Sequence, residues 1–158
     1  MRWKLNTIDT AGNFILIIIS GLILPLILMP IVKIVDYSEI IEEIAKALVV
    51  FFLIIKLPGL KQKIWLGILF GFFFGLSESI FYLNNIFQLG DLGVFWQRFL
   101  LTVPMHVMTV LVVLWFGLKN KKWIILGMMI AIIFHLTFNM ILGNIAAQTL
   151  FFLLSYLC

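Results

Sequence analysis

Five apolar stretches, each close to the length of a membrane crossing, follow one another along this chain with only short polar breaks between them. A helix needs roughly 20 predominantly apolar residues to cross the hydrocarbon core of a bilayer. The reading is therefore an all-α, polytopic membrane helix bundle, a single domain over residues 1–158. Spans fall near 12–32, 39–57, 64–85, 96–118 and 123–142. The stretch 145–157 is apolar but shorter, and is a possible short sixth span after a stop at Gly143 and Asn144. The expectation is thus five or six transmembrane helices, the first kinked by Pro25 and Pro30. Charged residues make up only 11% of the chain, against about a quarter in soluble domains.

Lysine and arginine in the breaks set the orientation. One side receives Arg2, Lys4, Lys56, Lys61, Lys63, Lys119, Lys121 and Lys122. The other receives Lys33 and Arg98, and Lys46 lies within the second span. The richer side is cytoplasmic, and with it the N-terminus of a multi-pass protein of the cell membrane. The run 11–32 is too long for the apolar region of a signal peptide and lacks a small-residue cleavage site after it, so it reads as a retained first helix. The net charge of +4 resides in headgroup-level breaks, so nucleic acid is not expected as a partner. The lone cysteine, Cys158, leaves no internal disulfide to form.

Ionisable groups inside spans are costly unless paired, and mark functional sites by default. The second span carries Glu42, Glu43 and Lys46; the third Glu78 and Tyr82; the fourth Arg98, Thr102, His106 and Thr109; the fifth His135 and Asn139. At a rise of about 1.5 Å per residue from the outer helix ends, Glu43 and Asn139 lie roughly 6 Å down, Lys46 and Glu78 roughly 10 Å, His135 about 12 Å and His106 about 15 Å. All six fall in the outer half of the membrane. Residues four apart share a helix face. Glu42 with Lys46, Glu78 with Tyr82, and His135 with Asn139 are so spaced, giving each helix one polar stripe. Polar stripes avoid lipid, so the stripes should face one another.

Each residue also has a plainer reading. Glu42 and Lys46 form an ordinary i,i+4 pair, Arg98 can reach the headgroups, and isolated histidines can serve as interhelical hydrogen-bond partners. Gly67, Gly71, Gly75 and Ser79 form a small-residue ridge suited to close helix packing. Pro104, two residues before His106, removes a backbone donor. The tryptophans Trp3, Trp65, Trp96, Trp115 and Trp123 read as interfacial anchors, and Phe70 to Phe74 as packing or lipid-facing residues.

Two histidines with several glutamates in one layer can bind a divalent metal such as zinc and leave a position for water. Equally, a Glu–His pair can act as general base on water while His and Asn donors stabilise an oxyanion. Both routes lead to amide hydrolysis in or beside the membrane.

Four motifs then resemble a known family. Glu42-Glu43-Ile44-Ala45-Lys46 is similar to the EExxK motif of PrsW-type intramembrane proteases, and Phe74 to Glu78 with Tyr82 resembles their FxxxE…Y motif. Arg98 with His106 resembles the third motif and His135 to Asn139 the closing HxxxN. The group is related to the CPBP and CAAX-prenyl endopeptidase-like families. The resemblance implies a membrane-embedded endopeptidase acting on a membrane-anchored protein or peptide near the outer surface. It implies Glu42 or Glu43 as general base, and Glu78, His106 and His135 as metal ligands or water-activating groups. Asn139 would serve the oxyanion, with Lys46, Arg98 and Tyr82 in support. The chain has fewer helices than such proteins usually carry. A non-catalytic relative in immunity or envelope regulation, and a proton or cation transporter, are the alternatives.

Overall fold

The computed structural model describes residues 7–35, 37–89 and 92–157, with side chains described for 11–32, 34–35, 37–81, 96 and 99–143. Within these residues the chain is all-helical. Helix α1 runs Thr7–Val35, α2 Ser38–Lys56, α3 Leu60–Leu89, α4 Leu92–Lys119 and α5 Ile124–Leu157, with a 3-10 turn at Lys121–Trp123 before α5. Local chemistry sets the breaks. Leu57 turns extended (φ −93, ψ 135), as the ring of the following Pro58 demands. Asn120 begins the 3-10 turn by accepting a hydrogen bond from the backbone N–H of Lys122 at 3.0 Å, a side-chain cap that stops α4.

Helix α1 is unbroken through Pro25 and Pro30, and one expectation meets a different outcome. Helix α5 passes Gly143 and Asn144 without a break and continues to Leu157, so residues 145–157 extend the fifth helix and form no element of their own. An interior glycine costs a helix only about 1 kcal/mol relative to alanine, and no proline follows to enforce a stop.

Among the described residues, segments in four helices are long and apolar enough to cross a membrane: Ala11–Val32, Leu60–Phe81, Phe99–Lys119 and Lys121–Gly143. Helix α2 matches a span in length, at 19 residues. Its first half, however, carries Glu39, Glu42, Glu43 and Lys46. That half turns inward, with Glu43 and Lys46 fully buried. The outer surface is apolar instead: Ile27, Leu48, Leu100 and Ile133 are each more than half exposed. Such a surface suits lipid, not water. Trp65, Trp96, Trp115 and Trp123 are all exposed, in keeping with an interfacial belt. The phenylalanine run divides, with Phe70 and Phe74 buried and Phe72 exposed.

Helices α3 and α4 form the centre of the bundle, α1 packs on α3, and α2 and α5 pack on α4 and on each other. Gly71 and Gly75 set the central contact. A Cβ on Gly71 would lie 2.8 Å from the Val107 Cα, and one on Gly75 would lie 2.9 Å from the Val103 Cα and 3.0 Å from the His106 Cδ2. Backbone meets backbone there, and only glycine fits. Ser77 Oγ donates to the Leu22 carbonyl at 2.8 Å, tying α1 to α3. The interior then divides in two. Val50, Leu53, Leu66, Phe70, Val110, Val113 and Leu114 fill one level as an apolar core, and the polar residues occupy the other.

Gly75→Val is expected to destabilise the bundle by about 1–3 kcal/mol through overpacking. Gly143 has open space around its Cα, so Gly143→Ala should be neutral or stabilising by up to about 1 kcal/mol. Thermal unfolding of both variants in detergent micelles checks the contrast; equal midpoints would refute the close α3–α4 contact.

Candidate active site and metal centre

The polar level centres on Lys46. In α2 it follows Glu43 by three residues and Glu42 by four, so all three side chains share the inward face. Lys46 Nζ donates to Glu43 Oε1 at 2.7 Å and lies 2.6 Å from His106 Nδ1 of α4. Glu42 Oε2 stands farther off, at 3.9 Å. The ammonium also sits over the Phe74 ring of α3, 4.4 Å from its centroid, a desolvated cation–π contact. The closest carboxylate partner is thus i,i−3, while the i,i−4 pair expected from spacing is the looser one.

Two further contacts bring α5 and α3 into the cluster. Glu43 Oε1 accepts from His135 Nδ1 at 2.9 Å. His106 Nε2 is hydrogen-bonded to Glu78 Oε2. The two imidazoles meet edge to face, with centroids 5.2 Å apart. Glu43, Lys46, His106 and His135 are all buried, whereas the Glu78 and Glu42 side chains keep 17% and 14% exposure. Thr109 Oγ1 donates to the His106 carbonyl at 3.1 Å.

Donor and acceptor roles fix the two tautomers. An ammonium only donates, so His106 Nδ1 presents its lone pair to Lys46 and Nε2–H donates to Glu78. A carboxylate only accepts, so His135 carries its proton on Nδ1 and keeps the Nε2 lone pair free. The two histidines are therefore in opposite states.

The residues fit a divalent cation on three counts. Glu42, His106 and His135 offer ligand-capable atoms that all lie within 4.8 Å of one another. Glu42 Oε2 and Glu43 Oε2 are buried without a hydrogen-bond partner, a costly state that a cation would relieve. Three carboxyl groups, Glu42, Glu43 and Glu78, share the site with one ammonium, Lys46, an excess of hard oxygen donors that suits a cation. His135 is ready for such a role, since Glu43 holds the nitrogen opposite the free one. His106 has both ring nitrogens engaged, so ligation through it replaces one of its two hydrogen bonds.

The structure thus brings together Glu42, Glu43, Lys46, Glu78, His106 and His135 from four helices. Asn139 lies at the edge, where its Nδ2 donates to Glu39 Oε1 at 2.8 Å. The side chains of Tyr82 and Arg98 lie outside the described residues. Glu39 was not singled out from the sequence. The available signal was its position one turn before Glu43, which places it on the same face of α2.

Removing one partner from a buried ion pair leaves the other charge uncompensated, at about 3–5 kcal/mol. Lys46→Met is expected to destabilise the protein on that scale in micelle unfolding experiments, and Lys46→Met combined with Glu43→Gln is expected to recover part of the loss. Destabilisation by Lys46→Met of under about 1 kcal/mol would place the ammonium in water, contrary to its burial.

Neither the curated proteins nor the solved structures compared with the chain gave a match. A family model did, that of the PrsW family intramembrane metalloproteases, over residues 21–158. The matched region holds every residue of the cluster, together with three of the four apolar spans and most of the first. The chain belongs to the PrsW family of intramembrane metalloproteases.

Proposed function

We propose that this protein is an endopeptidase of the cell membrane that hydrolyses a peptide bond in a membrane-anchored substrate near the outer surface. The carrying observation is the meeting of Glu42, His106 and His135, with Glu78 and Glu43 behind the two imidazoles. On this reading the chain crosses the bilayer five times from a cytoplasmic N-terminus, with α2 as the second crossing. The excess of Lys and Arg at Lys56, Lys61, Lys63, Lys119, Lys121 and Lys122 supports that orientation. It puts the polar level of the bundle in the outer half of the membrane and the apolar core in the inner half.

Glu42, His106 and His135 would hold the ion, with zinc the choice that best suits imidazole and carboxylate donors. When bound, the ion polarises the scissile carbonyl and lowers the pKa of a water molecule. Glu43 keeps the His135 ring oriented and neutralises Lys46. Glu78, still held by His106 Nε2–H while the Nδ1 lone pair turns to the ion, takes the proton from the attacking water and passes it to the amine that leaves as the C–N bond breaks. Asn139 donates an amide N–H to the carbonyl oxygen as charge collects there. The products are a carboxylate and an amine, and one water is consumed.

One observation favours a second reading. Both ring nitrogens of His106 are engaged, which suits a metal-free mechanism in which the Glu78–His106 pair activates water directly. A transporter reading has less support, because the level beneath the cluster is filled by apolar side chains such as Val50, Phe70, Val110 and Val113, all at 0% exposure.

Purified protein in proteoliposomes should cleave a single-span model substrate. Glu43→Ala and His135→Ala should each lose at least about 100-fold in rate; unchanged cleavage in both would end this mechanism. Dialysis against a chelator should abolish cleavage, and stoichiometric zinc should restore it. Full activity in protein that retains no metal selects the metal-free route.

A further inference from the structure

Helices α2 and α5 are joined by two hydrogen-bonded rungs. One is Glu43 to His135 at 2.9 Å. The other is Glu39 to Asn139 at 2.8 Å. Glu39 precedes Glu43 by four residues and Asn139 follows His135 by four, so the rungs are successive turns of two helices that pair in opposite directions. The inner rung fixes the ring of His135. The outer rung has the same construction, a glutamate of α2 accepting from a polar side chain of α5, and no part of the mechanism above uses Glu39.

We infer that Glu39 is a positioning residue for Asn139. The inference rests on the proteolytic reading, in which Asn139 donates to the carbonyl oxygen. An asparagine amide has a donor end and an acceptor end that are nearly alike in shape. Turned the wrong way, its Oδ1 would meet the developing oxyanion and repel it. A carboxylate accepts and never donates, so only the NH2 end of Asn139 can face Glu39. The flipped amide would set two acceptors against each other. Glu39 engages one of the two N–H groups on Nδ2 and locks the amide plane, and the second N–H is the donor left for the substrate. Preorganised donors of this kind act where charge develops, because they need no reorientation during the reaction.

Steady-state cleavage of the model substrate by Glu39→Ala, Glu39→Gln, Asn139→Ala and Glu39→Ala/Asn139→Ala tests this. Glu39→Ala should lower kcat by about 10–100-fold, the usual cost of losing an orienting partner, while KM moves by less than about threefold. Glu39→Gln keeps an acceptor in its Oε1 but adds a donor end that tolerates the flipped amide, so its kcat should fall between those of the parent and Glu39→Ala. The double variant should be no slower than Asn139→Ala alone, because residues acting as one unit do not add. Full-rate cleavage by Glu39→Ala beside a slow Asn139→Ala overturns the inference while sparing the proteolytic reading, and so does multiplication of the two losses in the double variant. A parent protein that cleaves nothing overturns both, whereas a full-rate Asn139→Ala overturns the inference and the oxyanion role of Asn139 and leaves proteolysis standing. A second measurement guards against misfolding. In asparagine-labelled protein in micelles, the side-chain amide signals absent from Asn139→Ala belong to Asn139. They should shift in Glu39→Ala with the remaining spectrum in place; unshifted signals overturn the rung.

Discussion

A charged lysine buried at the centre of a lipid-facing bundle is tolerable only if its surroundings replace the water it has lost. Lys46 receives that replacement from three helices: Glu43 on its own helix, His106 Nδ1 from α4 and the Phe74 face from α3. The rest of the polar level follows from these contacts. The lysine fixes the tautomer of His106, which passes the remaining proton toward Glu78. Glu43, already bound to Lys46, holds His135 with the same oxygen. Without the ammonium, three carboxylates would repel one another in a low-dielectric interior, where such repulsion is far stronger than in water.

The two levels of the bundle are held together by different forces. Below the cluster the bundle is held by dispersion and close packing among Val50, Leu53, Phe70, Val110 and Leu114. In lipid, apolar side chains gain little from leaving one apolar medium for another, so intimate contact between helices matters more than area. The glycines of α3 supply that contact on one side of the site, and hydrogen bonds between side chains supply it on the other.

Much of this was legible in the sequence, and the unread parts share a cause. Apolar run length gave the helices, because the bilayer imposes one length scale on every crossing. The 3- and 4-residue spacings put Glu42, Glu43, Lys46, His135 and Asn139 on common faces, because helical geometry is local. Which atoms meet across helices is not local. It depends on helix rotation and tilt, which no spacing records. Hence Lys46 takes Glu43 in preference to Glu42, Glu42 joins the two histidines while Glu78 stands behind His106, and Glu39 finds Asn139. The end of α5 was misjudged for a different reason: a glycine weakens a helix without stopping it.

The Gly71 and Gly75 contact has a mechanical corollary. Where main chain rests on main chain there is no rotamer to turn and no side chain to bend, so α3 and α4 form an unyielding wall that carries Glu78 and His106. The facing wall, α2 against α5, is joined at the polar level by side-chain bridges, whose rotatable bonds the main-chain contact lacks. The two walls of the polar level thus differ in kind: one is set by main-chain contact and the other by the side chains that bridge it.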